Sequence, residues 1–270
     1  TIFPPAAEVA GGFITIYLIC ISKQSCCLQE EYMNQYILAH DFGTTGDKAA
    51  LFHPDGYIVE SCSYEYPTYY PEHGWAEQDP QHYWKAFCES TQSLLEKSGV
   101  SAKQIAAVSF SAQMQAALPV DKSGKALRNA IIWMDMRSSE ETQLLKNELG
   151  ADKVYEITGH QANASYSAAK IRWIKNNEPD IYKKTSHFLH VKDYIILRLT
   201  GNALTDYSDG SGMNLLDLKR LDWSDDILHA LDIDRDKLPP LLSSIEKAGE
   251  VKADAAKASG LIEGTPVILG

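Results

Sequence analysis

Three strand-like segments follow one another with only tight turns between them, and a fourth arrives only after a helix. Few folds accommodate that order. The first segment begins at Ile37 and runs into Asp41-Phe42-Gly43-Thr44-Thr45-Gly46, where the chain turns straight back through residues 48–53. Pro54-Asp55-Gly56 is the next turn, with turn chemistry in each residue, and residues 57–66 predict the third strand. An aromatic, proline-bearing loop follows over 67–77. Asp79-Pro80 then reads as the N-cap and first position of a helix, Trp84, Phe87, Cys88, Thr91, Leu94 and Leu95 recur at helical spacing, and Gly99 ends it. Residues 105–111 form an apolar strand. An antiparallel meander followed by a helical crossover predicts a mixed sheet in which that strand pairs in parallel.

Ligands of such sheets sit beyond the carboxyl ends of the strands. Asp41 and residues 111–115 both fall at such ends, so they are expected to face one another across a cleft. In the first turn, two glycines permit backbone that a Cβ would obstruct, Thr44 and Thr45 offer hydroxyls, and Asp41 offers a carboxylate. That set suits a phosphate with a metal ion, and it equally suits a plain hairpin. Gln113, Met114 and Gln115 place two amides at alternate positions, able to donate and accept to the hydroxyls of a neutral polyol. Residues 131–137 predict an apolar strand ending in Asp135 and Arg137, either a site pair or a structural ion pair. Asp206 and Asp209 lie in a small-residue loop over 205–212; metal binding, sugar binding and Asx turns all fit them.

The remaining chain alternates helices and short strands. Ser138 and Glu141 are spaced as a capping box for a helix that closes at Gly150. Helices are predicted over 168–177, ended by Pro179, over 191–199, from Ser224, and over 253–258, and strands over 116–120, 215–218 and 267–269. The polar stretch between Thr158 and Lys170 reads as a solvated loop, with pocket lining as the alternative.

A formal charge of -11 and a pI near 5.2 argue against a nucleic-acid partner, because phosphate backbones need a basic face. The longest apolar run, residues 11–21, is short of the roughly 20 residues that span a bilayer, so no membrane partner is expected. Cys20, Cys26, Cys27, Cys62 and Cys88 form no C-x-x-C pair, which points to a reducing, cytoplasmic compartment. Residues 1–32 show no clear period, and the strand pattern starts just after Met33. Residues 1–32 are therefore expected to be translated leader outside the fold, with Met33 the native start and the domain covering 33–270; a genuine N-terminal extension is the alternative.

Taken together, Asp41-Phe42-Gly43-Thr44-Thr45, residues 74–80, Gln113-Met114, Trp133-Met134-Asp135-Met136-Arg137, Lys192-Asp193-Tyr194 and residues 205–209 resemble the FGGY family of carbohydrate kinases, xylulokinase-like members above all. The resemblance runs from about residue 36 to 270. It implies an α/β, actin-like, ribonuclease-H-like domain with a mixed central sheet and helices on both faces. It also implies an ATP-dependent kinase acting on a pentulose or related sugar, with Asp41 on magnesium and phosphates and Gly43, Thr44 and Thr45 approaching the γ-phosphate. Met114 and Gln115 match the family's sugar-contacting pair, and Asp135 and Arg137 match a motif near the sugar. Gln115 stands where xylulokinases usually carry histidine, which leaves the sugar open. The family's general-base aspartate falls just past Gly270, and its second, nucleotide-binding domain is absent, so this chain alone is expected to be inactive. A non-catalytic sugar-binding or regulatory module of the same fold is the alternative, a different actin-like ATPase comes third, and a homodimer is compatible with the sequence.

Overall fold

The computed structural model describes residues 35–270, so the expectations placed on residues 1–32 and Met33, and on Cys20, Cys26 and Cys27, lie outside the described residues. The central sheet has β1 (Tyr36–Phe42), β2 (Gly46–Phe52), β3 (Ile58–Glu65), β4 (Ile105–Ala112), β5 (Lys247–Glu250) and β6 (Pro266–Ile268) in the order β5-β6-β4-β1-β2-β3. β1, β2 and β3 are antiparallel neighbours, β1 and β4 run parallel, and β5 adds an antiparallel edge. The parallel pairing follows from the crossover through α1 (Pro80–Ser98). Asp79 caps α1 by accepting from the Gln81 amide at 2.9 Å, and Gly99 closes it in the left-handed conformation at φ 70°.

α1 lays Tyr83, Phe87 and Leu94 on Leu38, Phe42, Leu51 and Phe110, and α6 (Val191–Thr200) and α9 (Ala253–Ser259) complete that core. Each large side chain fully withdrawn from water there contributes about 1.5–3 kcal/mol. The α/β fold with a mixed central sheet and helices is present as expected; these three helices share one core with the sheet, and Ile37, Ala39, Ala50 and Phe52 form a separate small cluster. A second core, built around Ile131, Leu145, Ile171, Phe188 and Leu215, joins α2 (Ser139–Leu149), α3 (Ala151–Thr158), α4 (Ser167–Asn177), α5 (Pro179–Lys184), α7 (Tyr207–Gly212) and α8 (Asp225–Ala230). The single domain read from the sequence therefore holds two hydrophobic centres.

Several local expectations are corrected. The strand expected over 131–137 is only Ala130–Ile131, after which the Asp135 amide returns to the Ile132 carbonyl and Met136 to Gly74. Ser138 does not cap α2; its hydroxyl donates to the Ala164 carbonyl, and Glu141 accepts from Asn176. Pro179 opens α5 rather than only ending a helix. The loop expected at 205–212 is the short helix α7, capped by the Asp206 carboxylate on the Ser208 and Asp209 amides.

α6 and α7 meet over a buried charge cluster. Lys192 Nζ donates to the Asp206 carboxylate and lies 3.5 Å from Asp209, while Asp193 accepts from the His190 amide at 3.0 Å. Ligand atoms of His190, Asp193 and Asp209 lie within 4.8 Å of one another, as metal ligands would, but the Lys192 ammonium is already the cation beside them. Burial alone would push Lys192 down, yet Asp209, Asp206 and Asp193 together hold it above its usual value. Burial, and then the charge of Asp209, push Asp193 up to about 7.

Two outcomes are expected. A Cβ at Gly46 would stand 2.5 Å from the Tyr64 carbonyl oxygen, so Gly46→Ala should lower the urea-unfolding free energy by about 1–3 kcal/mol, and an unchanged midpoint contradicts that packing. Because Asp193 binds its proton more tightly folded than unfolded, its contribution is present below about pH 4 and is lost as pH rises through 7. Asp193→Asn should flatten the fall in melting temperature between about pH 5 and 8; an unaltered slope assigns that dependence elsewhere.

Candidate active site

The carboxyl ends of β1 and β4 lie side by side, with Asp41 in register with Ser111. The two segments expected to face each other across a cleft are instead bonded directly: the Gln113 amide donates to the Phe42 carbonyl at 2.7 Å, and Gln113 Nε2 to the Gly43 carbonyl at 3.3 Å. Tyr66 OH donates to the same Gly43 carbonyl at 2.5 Å. The turn is therefore fixed from behind. Of the two glycines expected to permit backbone that a Cβ would obstruct, Gly46 is needed for clearance, whereas Gly43 faces only the Gly46 oxygen, at an ordinary 3.6 Å, and neither is left-handed.

Gln78 organises the rear of the turn. Fully buried, it donates through Nε2 to the Thr44 carbonyl at 2.7 Å and to Thr68 Oγ1 at 2.8 Å. Its Oε1 accepts from Tyr83 OH at 2.8 Å and from Gln113 Nε2 at 2.7 Å. The sequence reading missed it, although the spacing of Gln78 just before the N-cap of α1 marks where a side chain is anchored. On the front of the turn, Trp133 Nε1 donates to Thr44 Oγ1 at 2.9 Å, again from a residue not singled out as a site group. The Thr44 and Thr45 amides find no acceptor, and the Asp41 carboxylate no donor, among the described residues. These groups are half-buried or exposed, so they remain available to a ligand.

Beside this turn, Met114 is 40% exposed and Gln115 takes φ 66°, a left-handed conformation that a non-glycine residue rarely adopts. The Gln115 side-chain amide has no partner among the described residues, whereas Gln113 donates through Nε2 to Gly43 and Gln78, its Oε1 being buried without a partner. The two amides expected to act alike thus have different jobs. Gly212 backs Met114: a Cβ there would lie 3.1 Å from the Met114 sulfur. Residues 159–166 alternate, with Gly159, Gln161 and Asn163 exposed as a solvated loop would have them, Ala162 and Ala164 buried, and His160 Nε2 2.9 Å from Ser211 Oγ.

Asp135 and Arg137 form the structural ion pair, at 2.7 Å and with side chains 0% and 1% exposed. Asp135 also accepts from the Ala76 amide, and Arg137 pairs with Glu77 at 2.8 Å while lying 3.7 Å over the Trp75 ring. Apart from Arg137 Nη1, which is buried without a hydrogen-bond partner, their polar atoms are bonded within the protein. Asp206 and Asp209 are likewise buried in the Lys192 cluster, where Asp206 serves as a helix cap. What remains open is a turn with free amides and a free carboxylate, next to a short segment presenting a thioether and an amide.

Residues 36–270 match the FGGY family of carbohydrate kinases, N-terminal domain. The chain is 34% identical over 236 residues to a xylulose kinase of Bacillus subtilis (strain 168), covering 87% of this chain and 47% of that one. It is 35% identical over 226 residues to a glycerol kinase of Thermococcus gammatolerans (82% and 46% covered). Among solved structures, a gluconate kinase from Lactobacillus acidophilus superposes with a TM-score of 0.82 at 31% identity, covering 87% of this chain and 47% of that one. The chain spans about half the length of the curated relatives it matches. Its mixed sheet and helices are those of the actin-like, ribonuclease-H-like sugar kinases. By this match over nearly its whole described length, the chain belongs to the FGGY family of carbohydrate kinases and corresponds to their N-terminal domain.

Proposed function

We propose that the chain is the sugar-binding half of an ATP-dependent kinase that transfers the γ-phosphoryl group to a hydroxyl of a pentulose or related polyol. The observation that carries this reading is the turn after β1, whose carboxylate and two amides are unpaired while the Gly43 and Thr44 carbonyls behind them are engaged. Gly43 adds support. The chain itself leaves space for a side chain there, so its bare backbone suits close approach by a ligand from outside.

In this reading the amides of Thr44 and Thr45 and the Trp133-held Thr44 hydroxyl orient the γ-phosphoryl oxygens. Asp41 fits a magnesium ion, since a lone unpaired carboxylate beside phosphate oxygens is the hard, sparse protein donor set that ion takes. Magnesium, when bound, neutralises charge on the phosphate oxygens. Met114 and Gln115 contact the acceptor, with the free Gln115 amide able both to donate and to accept. Gln113, Asp135 and Arg137 hold this geometry from behind rather than touching the sugar. The remainder of the full-length protein supplies the adenosine pocket and the base that takes the hydroxyl proton. A cytoplasmic setting fits the free thiols of Cys62 and Cys88, and no described helix is long and apolar enough to cross a membrane.

A coupled ADP-release assay on the full-length protein against ketopentoses, polyols and aldonates should show turnover on at least one of them; activity on none refutes the kinase reading. In that protein Asp41→Asn should lower turnover by about 100-fold or more with an unchanged melting temperature. Turnover within about twofold of the parent would remove Asp41 from the phosphate site.

A further inference from the structure

Lys170 is the one lysine in the described residues that is fully shut off from solvent, and no step above uses it. It lies in the second turn of α4. Its ammonium donates to the Gln115 carbonyl at 2.8 Å and to the Ser165 carbonyl. One residue further along the substrate segment, the Ala116 carbonyl accepts from Ser167 Oγ at 2.7 Å, and that hydroxyl also lies 2.9 Å from His190 Nε2. Two successive carbonyls of the segment thus point away from the cleft, and each is caught by a side chain from the start of α4.

The catch matters because of what happens between them. Gln115 is one of only four non-glycine residues with positive φ among the described residues, and the chain passes there from exposed Met114 to wholly buried Ala116 and Ala117. The left-handed kink turns the segment from cleft to core within one residue. Released from its donor, the Gln115 carbonyl would be a polar group facing the protein interior without a partner, and the ordinary right-handed or extended backbone would compete with the kink. Burial lowers Lys170 to about 7, with the Asp135 charge pulling it up and that of Arg137 pushing it down. A lysine kept in so costly a place needs a return in geometry.

We infer that Lys170 is a positioning residue for acceptor recognition: its buried ammonium holds the Gln115 carbonyl and so fixes the left-handed backbone that presents Met114 and the Gln115 amide to the sugar. This rests on the kinase reading above but adds a residue outside the cleft, acting through main chain rather than by contact.

The test uses the full-length kinase and the best acceptor found for it. Lys170→Met, similar in length and without donors, should raise the acceptor KM on the order of tenfold or more while the KM for ATP stays within about twofold. The rise should shrink to about threefold or less in a Gln115→Asn background, because asparagine tolerates the left-handed region better. Lys170→Gln, which retains an N–H donor without charge on a shorter side chain, is measured alongside in case the apolar variant does not fold, and an acceptor-only rise smaller than that of the methionine variant but above about twofold is expected. An acceptor KM within about twofold of the parent overturns the inference, as does an equal rise for both substrates, an undiminished rise in the asparagine background, or loss of both variants as insoluble protein. A parent enzyme that phosphorylates no acceptor fails the kinase reading itself and takes this inference with it; an active parent with an indifferent Lys170 fails only the latter.

Discussion

The Gln78 side chain is the joint on which the candidate site depends. An amide offers two donor hydrogens and two acceptor positions, and here all four are taken, with no water access to compete. Through it, the turn after β1, the loop before α1, the first helix and the segment after β4 share one set of hydrogen bonds. A carboxylate in its place could not donate to the Thr44 carbonyl, and an apolar group would leave that carbonyl, the Tyr83 hydroxyl and the Gln113 amide without their partner. Losing a buried partner of this kind costs about 1–3 kcal/mol for each group stranded, more than most exposed contacts contribute. The ligand-facing groups can stay unpaired because the Gly43 and Thr44 carbonyls behind them are held by Tyr66, Gln113 and Gln78.

Charges are managed on the same plan, away from the cleft. Arg137 is held between Asp135 and Glu77 and lies over Trp75, while Arg128 reaches both Glu77 and Glu178. Pairs this deeply buried gain little net stability over apolar packing, but removing one member leaves an uncompensated charge. They are better understood as fixing the path of residues 132–137, which carries Trp133 to Thr44. The Lys192 cluster does the same for α6 and α7, and so for Gly212 behind Met114.

Much of the frame was legible in the sequence because it is written in local signals. The meander, the Asp79-Pro80 start and Gly99 stop of α1, the parallel return of β4 and the Ser224 cap of α8 each depend on a few adjacent residues. The turn around Asp41 was also visible, since glycines and hydroxyls at a strand end are a compositional mark. What escaped depends on partners distant in sequence. Nothing near Ser138 shows that its hydroxyl is drawn to Ala164, 26 residues on, so a capping-box spacing looked sufficient. Asp135 and Arg137 could not be placed inside or beside the cleft without Ala76, Glu77 and Trp75. Short helices such as α5 and α7 carry too few residues to show a period, and the role of Gln113 was unreadable without Gln78.

The division between a turn anchored through its carbonyls and a pendant segment also bears on how such a domain diversifies. The backbone of positions 41–46 is tied into the sheet, into Gln78 and into Tyr66, so exchanges that move that backbone disturb the fold as well as the proposed phosphate site. The side chains of Met114 and Gln115, by contrast, hang from a backbone anchored by its own carbonyls, Met114 partly exposed and the Gln115 amide without a partner among the described residues. In the kinase proposed above, exchanging them would leave the backbone anchors in place and let mutation try new acceptor preferences on an unchanged scaffold. A chemistry conserved in one turn and a selectivity left evolvable in the next would let one architecture serve many hydroxylated substrates.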